Sequence, residues 1–170
     1  MCGIFGCLRN KNNNDEIIKK ILTAINLLKN RGYDSCGIYM NGDNNKHYLN
    51  KIGVDGEIIK NSNEKDIFKI MENEINSLTS TNEYYIGISH TRWATHGGKT
   101  DKNSHPHYSN DNNIILVHNG IISNYDTLKK KYLEDYNFYS ATDSEVIVNL
   151  ISYFKNHWRI IRGYVGLYYL

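Results

Sequence analysis

Met1-Cys2-Gly3 places a thiol one residue from the start of the chain. A methionine ahead of a small residue is a processing site, and its removal would leave Cys2 with a free α-amine beside its own thiol. The reference pKa of such an amine, about 7.7–8.0, lets it take and return a proton near neutral pH. Nucleophile and base then belong to one residue, as in a terminal threonine served by its own amine. The plainer reading of Cys2 is a small apolar residue at the start of a buried strand.

Thiolate attack on an amide carbonyl creates an oxyanion. Asn119-Gly120 offers a carboxamide N–H and a backbone N–H as fixed donors for it, although the same dipeptide also reads as a plain turn. The block His90-Thr91-Arg92-Trp93-Ala94-Thr95-His96-Gly97 adds binding groups. Arg92 can grip a carboxylate in bidentate fashion, Trp93 can lid a pocket, and Thr95 and His96 add polar contacts. The alternative is a surface loop with Trp93 folded into the core. Asp143, at a helix start, either supports the cap or pairs with a substrate ammonium. Together these groups fit a glutamine-shaped ligand: Arg92 on the α-carboxylate, Asp143 on the α-ammonium, Cys2 attacking the side-chain amide, Asn119 and Gly120 on the intermediate.

A zinc site is the competing idea, because His90, His96, His105, His107 and His118 crowd the middle of the chain. Their spacing matches no HExxH pattern and no CxxC pair accompanies them, so no metal is expected.

The elements that must position these residues follow from periodicity. Cys2 to Leu8 reads as a strand. Asn12 to Asp15 can cap an amphipathic helix in which Ile17, Ile18, Ile21, Leu22, Ile25 and Leu28 recur, with Asn30-Arg31-Gly32 as its stop. Cys36–Met40 and Lys46–Ile52 form a hairpin in which Asn41-Gly42 supplies positive φ angles. A second helix spans Ile67 to Leu78 and a strand Tyr84 to His90. A long polar loop follows from Thr91 to Asn113, a length that is more often functional than idle. Ile114 to His118 reads as a buried strand and Asp126 to Leu133 as a short helix. A capping box, Thr142-x-x-Glu145, opens a third helix near Asp143 that carries Val146, Ile147, Leu150, Ile151 and Phe154. Runs of strands and helices without strict alternation predict an α+β layered domain.

The 170 residues can bury one sizeable core and need no second domain. Lys and Arg number 20 against 18 for Asp and Glu, a formal net charge of +2 with the signs interspersed. Nothing there marks a nucleic-acid footprint. No apolar run is long enough for a membrane span, and no signal peptide precedes the first strand. A soluble cytoplasmic protein is expected. Cys2, Cys7 and Cys36 show no disulfide-scaffold spacing and read as free thiols.

Several blocks carry a family resemblance. Met1-Cys2-Gly3-Ile4, Arg31-Gly32-Tyr33-Asp34-Ser35, His90 to Gly97, His105-Pro106-His107, Val117-His118-Asn119-Gly120-Ile121-Ile122 and Thr142-Asp143-Ser144-Glu145 resemble, in order, the class II glutamine amidotransferase domain of the glutamine:fructose-6-phosphate aminotransferases. The resemblance implies a four-layer α/β/β/α N-terminal-nucleophile hydrolase fold with two antiparallel sheets, spanning residues 2–170. It implies hydrolysis of glutamine to glutamate and ammonia by processed Cys2, with Asn119 and Gly120 as the oxyanion hole and Arg31 ordering the site. It makes Arg92, Thr95, His96 and Asp143 glutamine contacts and puts Trp93 on a mobile loop that closes over substrate. No cofactor is implied.

The same resemblance implies that the ammonia passes to fructose 6-phosphate on a synthase domain, giving glucosamine 6-phosphate. Homo-oligomers are left open for full-length family enzymes. Two departures from the pattern stand out: the connection between Glu145-Val146-Ile147 and Arg162-Gly163-Tyr164 looks shortened, and the chain stops where family members continue. The expectation is therefore a C-terminally incomplete glutaminase domain without its synthase half. The alternative is an inactive fragment with a complete catalytic residue set.

Overall fold

Strand β1 (Gly3–Leu8) follows directly on Cys2, and its place in the sheet fixes where the thiol lies. In a computed structural model, which describes residues 2–9, 16–43, 46–78, 84–94 and 97–164 with side chains through 157, β1 pairs antiparallel with β4 (Tyr84–Arg92). Next come β2 (Ser35–Gly42) and β3 (His47–Gly53), giving the order β1-β4-β2-β3. Gly3 faces Thr91 and Ser35 faces Arg92. The starts of β1 and β2 and the end of β4 therefore meet at one end of the sheet, and Cys2, Asp34 and Trp93 are gathered there.

Helix α1 (Ile17–Leu28) buries Ile17, Ile21, Ala24 and Ile25 against β4 and β1. That spacing is one face of a 3.6-residue period. Helix α3 (Ile67–Asn76) buries Ile67, Ile70, Met71 and Ile75 over β2 and β3, after a short α2 (Glu57–Lys60). Asp66 caps α3 by accepting from Phe68 N at 2.9 Å. Ile21, Ile38, Met40, Ile52, Met71 and Ile75 are fully buried between helices and sheet, and each such side chain contributes roughly 1.5–3 kcal/mol of apolar burial.

Contacts divide the chain into two compact units, Met1–Pro106 with Val117–Gly120, and His107–Leu116 with Ile121–Leu170. The second contains the two-stranded antiparallel sheet of β5 (His107–Tyr108) and β6 (Ile115–Leu116), then α4 (Tyr125–Tyr132) and α5 (Asp143–Tyr164). His107 is fully buried. Tyr108 N donates to the Tyr139 hydroxyl at 3.1 Å, and that hydroxyl lies 2.9 Å from His107 Nδ1. His107 Nε2 lies 2.9 Å from Thr142 Oγ1, so both ring nitrogens face a hydroxyl that can donate or accept.

The mixed α/β class and its antiparallel sheets are as expected, but several local readings need correction. Asn41 and Gly42 take no positive φ; among the described residues only Asn112 and Gly97 do. Pairing of β2 with β4 runs on through an irregularity to Gly42, so the turn comes later. The strand expected over Ile114–His118 shrinks to Ile115–Leu116 and is half-buried. The capping box does not form in the expected way, because the Glu145 carboxylate accepts from Tyr139 N at 2.9 Å and Ser140 N at 2.7 Å.

The buried face of α5 is also more polar than its apolar residues suggest. Glu145, Val148, Asn149 and Ser152 face inward, while Ile151 and Phe154 stay exposed. Asn149 Oδ1 accepts from Asn110 N at 2.9 Å, and Ser152 Oγ donates to Asp111 Oδ2 at 2.9 Å. The helix runs unbroken through Arg162 to Tyr164. The cap expected at residues 12–15 lies outside the described residues. Among those residues no helix is long and apolar enough to cross a membrane.

Candidate active site

Cys2 is half-buried, and its sulfur is held by the chain just past β4. Trp93 N donates to Cys2 Sγ at 3.3 Å, and the thiol lies 3.6 Å from the Trp93 carbonyl oxygen. The Cys2 carbonyl oxygen is an acceptor for donors from distant segments: Asn119 Nδ2 at 3.2 Å and Arg31 Nε at 3.4 Å. A carboxamide carries two N–H bonds, so one can rest on the Cys2 carbonyl while the other is left for a further acceptor. Gly120 follows Asn119, exposed.

Close packing brings these segments together. A Cβ on Gly3 would lie 2.8 Å from Thr91 Oγ1 and 3.0 Å from Leu28 Cβ. One on Gly32 would lie 2.4 Å from the Arg92 carbonyl carbon. Glycine at both positions lets β1 and the Arg31 turn approach β4. Thr91 Oγ1 donates to Leu28 O at 3.0 Å, tying the end of α1 to the same strand.

Arg92 is buried, with Nη1 donating to Gly98 O at 3.2 Å. Trp93 is 47% exposed, its ring 5.3 Å from that of Tyr33. The indole is therefore on the surface beside Tyr33 and is not core. Thr95 and His96 lie outside the described residues. Asp143 belongs to the second unit, where its Oδ2 accepts from Ile122 N at 2.7 Å. Among the described residues no group of three or more His, Cys, Asp or Glu converges as a metal site would require.

The roles of His90 and Asp34 at the site come from the fold. His90 Nε2 lies 2.9 Å from Asn119 Oδ1, and its ring is 4.2 Å from that of His105. Burial pushes its pKa down to about 4, although the hydrogen bonds with Asn119 and the His118 backbone favour the charged ring; the Arg92 and His118 charges also depress it. His90 and Arg92, two apart on β4, share one face, and this was the signal available in the sequence.

Asp34, 3% exposed, accepts from Ala94 N at 2.9 Å and from Lys99 Nζ at 2.7 Å. Its own N–H donates to Arg92 O at 3.0 Å. Burial works to raise its pKa, but the Lys99 and Ala94 hydrogen bonds and the Lys99 and Arg92 charges outweigh it and hold the carboxyl below its ordinary value. Asp34 thus braces the backbone on both sides of Trp93. The Arg31 to Ser35 block contains Asp34, but residue type alone does not mark it as a brace.

Comparison with known proteins finds a match over residues 53–168 to the family model described as glutamine amidotransferase domain. That interval contains Arg92, Trp93, Asn119, Gly120 and Asp143 and begins after Cys2 and Arg31. Over 156 residues the chain is 39% identical to the glutamine–fructose-6-phosphate aminotransferase (isomerizing) of Staphylococcus aureus strain Mu50, covering 92% of this chain and 23% of that protein. The enzyme of the same name from Streptococcus agalactiae serotype V is 38% identical over 154 residues, covering 91% of this chain and 22% of its own. The chain spans under a quarter of the length of these curated relatives.

Proposed function

The chain belongs to the glutamine amidotransferase domain family, and from that premise we propose that it hydrolyses the side-chain amide of glutamine, with Cys2 as nucleophile once Met1 is removed. The observation that carries this reading is the convergence of Asn119 Nδ2 and Arg31 Nε on the Cys2 carbonyl while Trp93 N holds the sulfur.

The Cys2 α-amine takes the thiol proton, and the thiolate attacks the amide carbon. The resulting oxyanion is met by the second Asn119 N–H and the Gly120 backbone N–H. Collapse breaks the C–N bond, and the α-ammonium returns its proton to the departing ammonia, leaving a glutamyl thioester on Cys2. Water, deprotonated by the same amine, then attacks the thioester; glutamate leaves and the thiol is restored. Arg92, Trp93, Thr95 and His96 hold the substrate, with Arg92 on the α-carboxylate, and Asp143 takes the α-ammonium.

Residues 2–170 form one glutaminase domain in this reading, acting in the cytoplasm without metal or organic cofactor. The ammonia is destined for fructose 6-phosphate and the synthesis of glucosamine 6-phosphate on a synthase domain, as the names of the relatives suggest. The test is ammonia and glutamate release from glutamine by protein with verified Met1 removal, beside Cys2→Ala. Release that Cys2→Ala abolishes is expected; a folded, correctly processed chain that releases nothing overturns the proposal.

A further inference from the structure

The geometry points to His90 as a positioning residue whose Nε2–H fixes which end of the Asn119 carboxamide faces Cys2, an inference that rests on the glutaminase reading of Asn119. The two ends of a carboxamide are nearly the same size, so shape alone does not orient it. Chemistry does. Oδ1 can only accept and lies 2.9 Å from His90 Nε2, while Nδ2 can only donate and lies 3.2 Å from the Cys2 carbonyl oxygen. With Nε2 as donor at one end and the Cys2 carbonyl as acceptor at the other, a single orientation is permitted, and in it the carboxamide NH2 is on the Cys2 side.

The reversed carboxamide would aim a carbonyl oxygen at the developing oxyanion. Two partial negative charges would then meet where stabilisation is needed. What prevents reversal is the hydrogen on Nε2. With its hydrogen on Nδ1 instead, the ring would present a bare nitrogen that attracts the amide NH2 and turns Oδ1 toward the substrate. His90 is 1% exposed and lies against the His105 ring, so the imidazole is packed in place. Its depressed pKa keeps it neutral at pH 7, and a neutral ring has one hydrogen, for which the His118 backbone carbonyl competes with Asn119 Oδ1.

The test has a kinetic arm and an arm independent of turnover. In the full chain, His90→Leu is expected to lower kcat by about 10–100-fold with KM for glutamine little changed, a loss of the size expected for a disturbed oxyanion donor. His90→Gln, whose side-chain NH2 can reach Oδ1, should recover most of that loss. The double variant with Asn119→Ala should be no slower than Asn119→Ala alone, because His90 acts only through Asn119. Equal losses in His90→Leu and His90→Gln, or losses that multiply with Asn119→Ala, would overturn the assignment.

In the second arm, nitrogen NMR of histidine-labelled wild-type protein reads the His90 tautomer directly. The Nε2–H form is expected, and the Nδ1–H form would overturn the inference whatever the kinetics. A wild-type chain that released no ammonia would remove the glutaminase reading alone, since the tautomer still decides how Asn119 is held.

Discussion

Asn119 and Arg92 serve different stages of the proposed reaction, and kinetics can separate them. In that reaction Asn119 would offer its second N–H to charge that exists only in the tetrahedral intermediate. Asn119→Ala should therefore lower kcat by about 10²–10³-fold while leaving KM nearly unchanged. Arg92 would bind a carboxylate present in the ground state as well. Arg92→Lys keeps the charge but loses the planar fork, so KM should rise, by roughly tenfold or more, with a smaller change in kcat. Steady-state glutamate release from both variants checks the assignment; a kcat defect in Arg92→Lys with unchanged KM would count against it. As candidates, Cys2, Arg31, Arg92 and Asn119 were legible in the sequence because the chemistry proposed for them is carried by residue type and block. His90 and Asp34 were not, since their roles depend on which strand pairs with which.

At the scale of elements, glycines decide how closely the site-bearing segments approach. An added Cβ at Gly3 meets Thr91 Oγ1 and Leu28 Cβ, and Thr91 is already committed to the Leu28 carbonyl. At Gly32 the obstacle is the backbone of Arg92, which cannot rotate away. Gly3→Ala should cost about 1–3 kcal/mol in urea unfolding, in the range of overpacking elsewhere, and Gly32→Ala should cost more. Equal stability of Gly32→Ala and the parent would show that the Arg31 turn sits less tightly on β4.

The same close pairing explains which elements could be read in advance. The isoleucine periodicity of α1 and α3 is local and survives folding intact. The Asn41-Gly42 turn signal did not survive, because β4 offers β2 a partner as far as Gly42 and pairing outweighs a local preference. Likewise Glu145, which would reach back to the helix start in isolation, is taken by the Tyr139 and Ser140 N–H groups.

For the molecule as a whole, the buried His90 ties stability to acidity. In the unfolded chain an imidazole titrates near 6.5, whereas in the fold His90 does so at about 4. Between those values the unfolded state binds a proton that the folded state refuses, so stability is intact above pH 6.5 and declines as pH falls toward 4. A shift of that size corresponds to a loss of about 3 kcal/mol, a large fraction of what a single domain has. Asp34 has the opposite charge and a lower window: its carboxyl is held below its ordinary value, so its contribution is full above about pH 4 and disappears only at more acid pH. Urea unfolding at pH 7.5, 5.5 and 4.5 should therefore show a decline already within the first step. In His90→Leu, measured against its own value at pH 7.5, that decline should be shallower. A wild-type free energy that stays level to pH 4.5 would mean that His90 is hydrated or protonated in the fold, and the neutral ring that orients Asn119 would lose its physical basis.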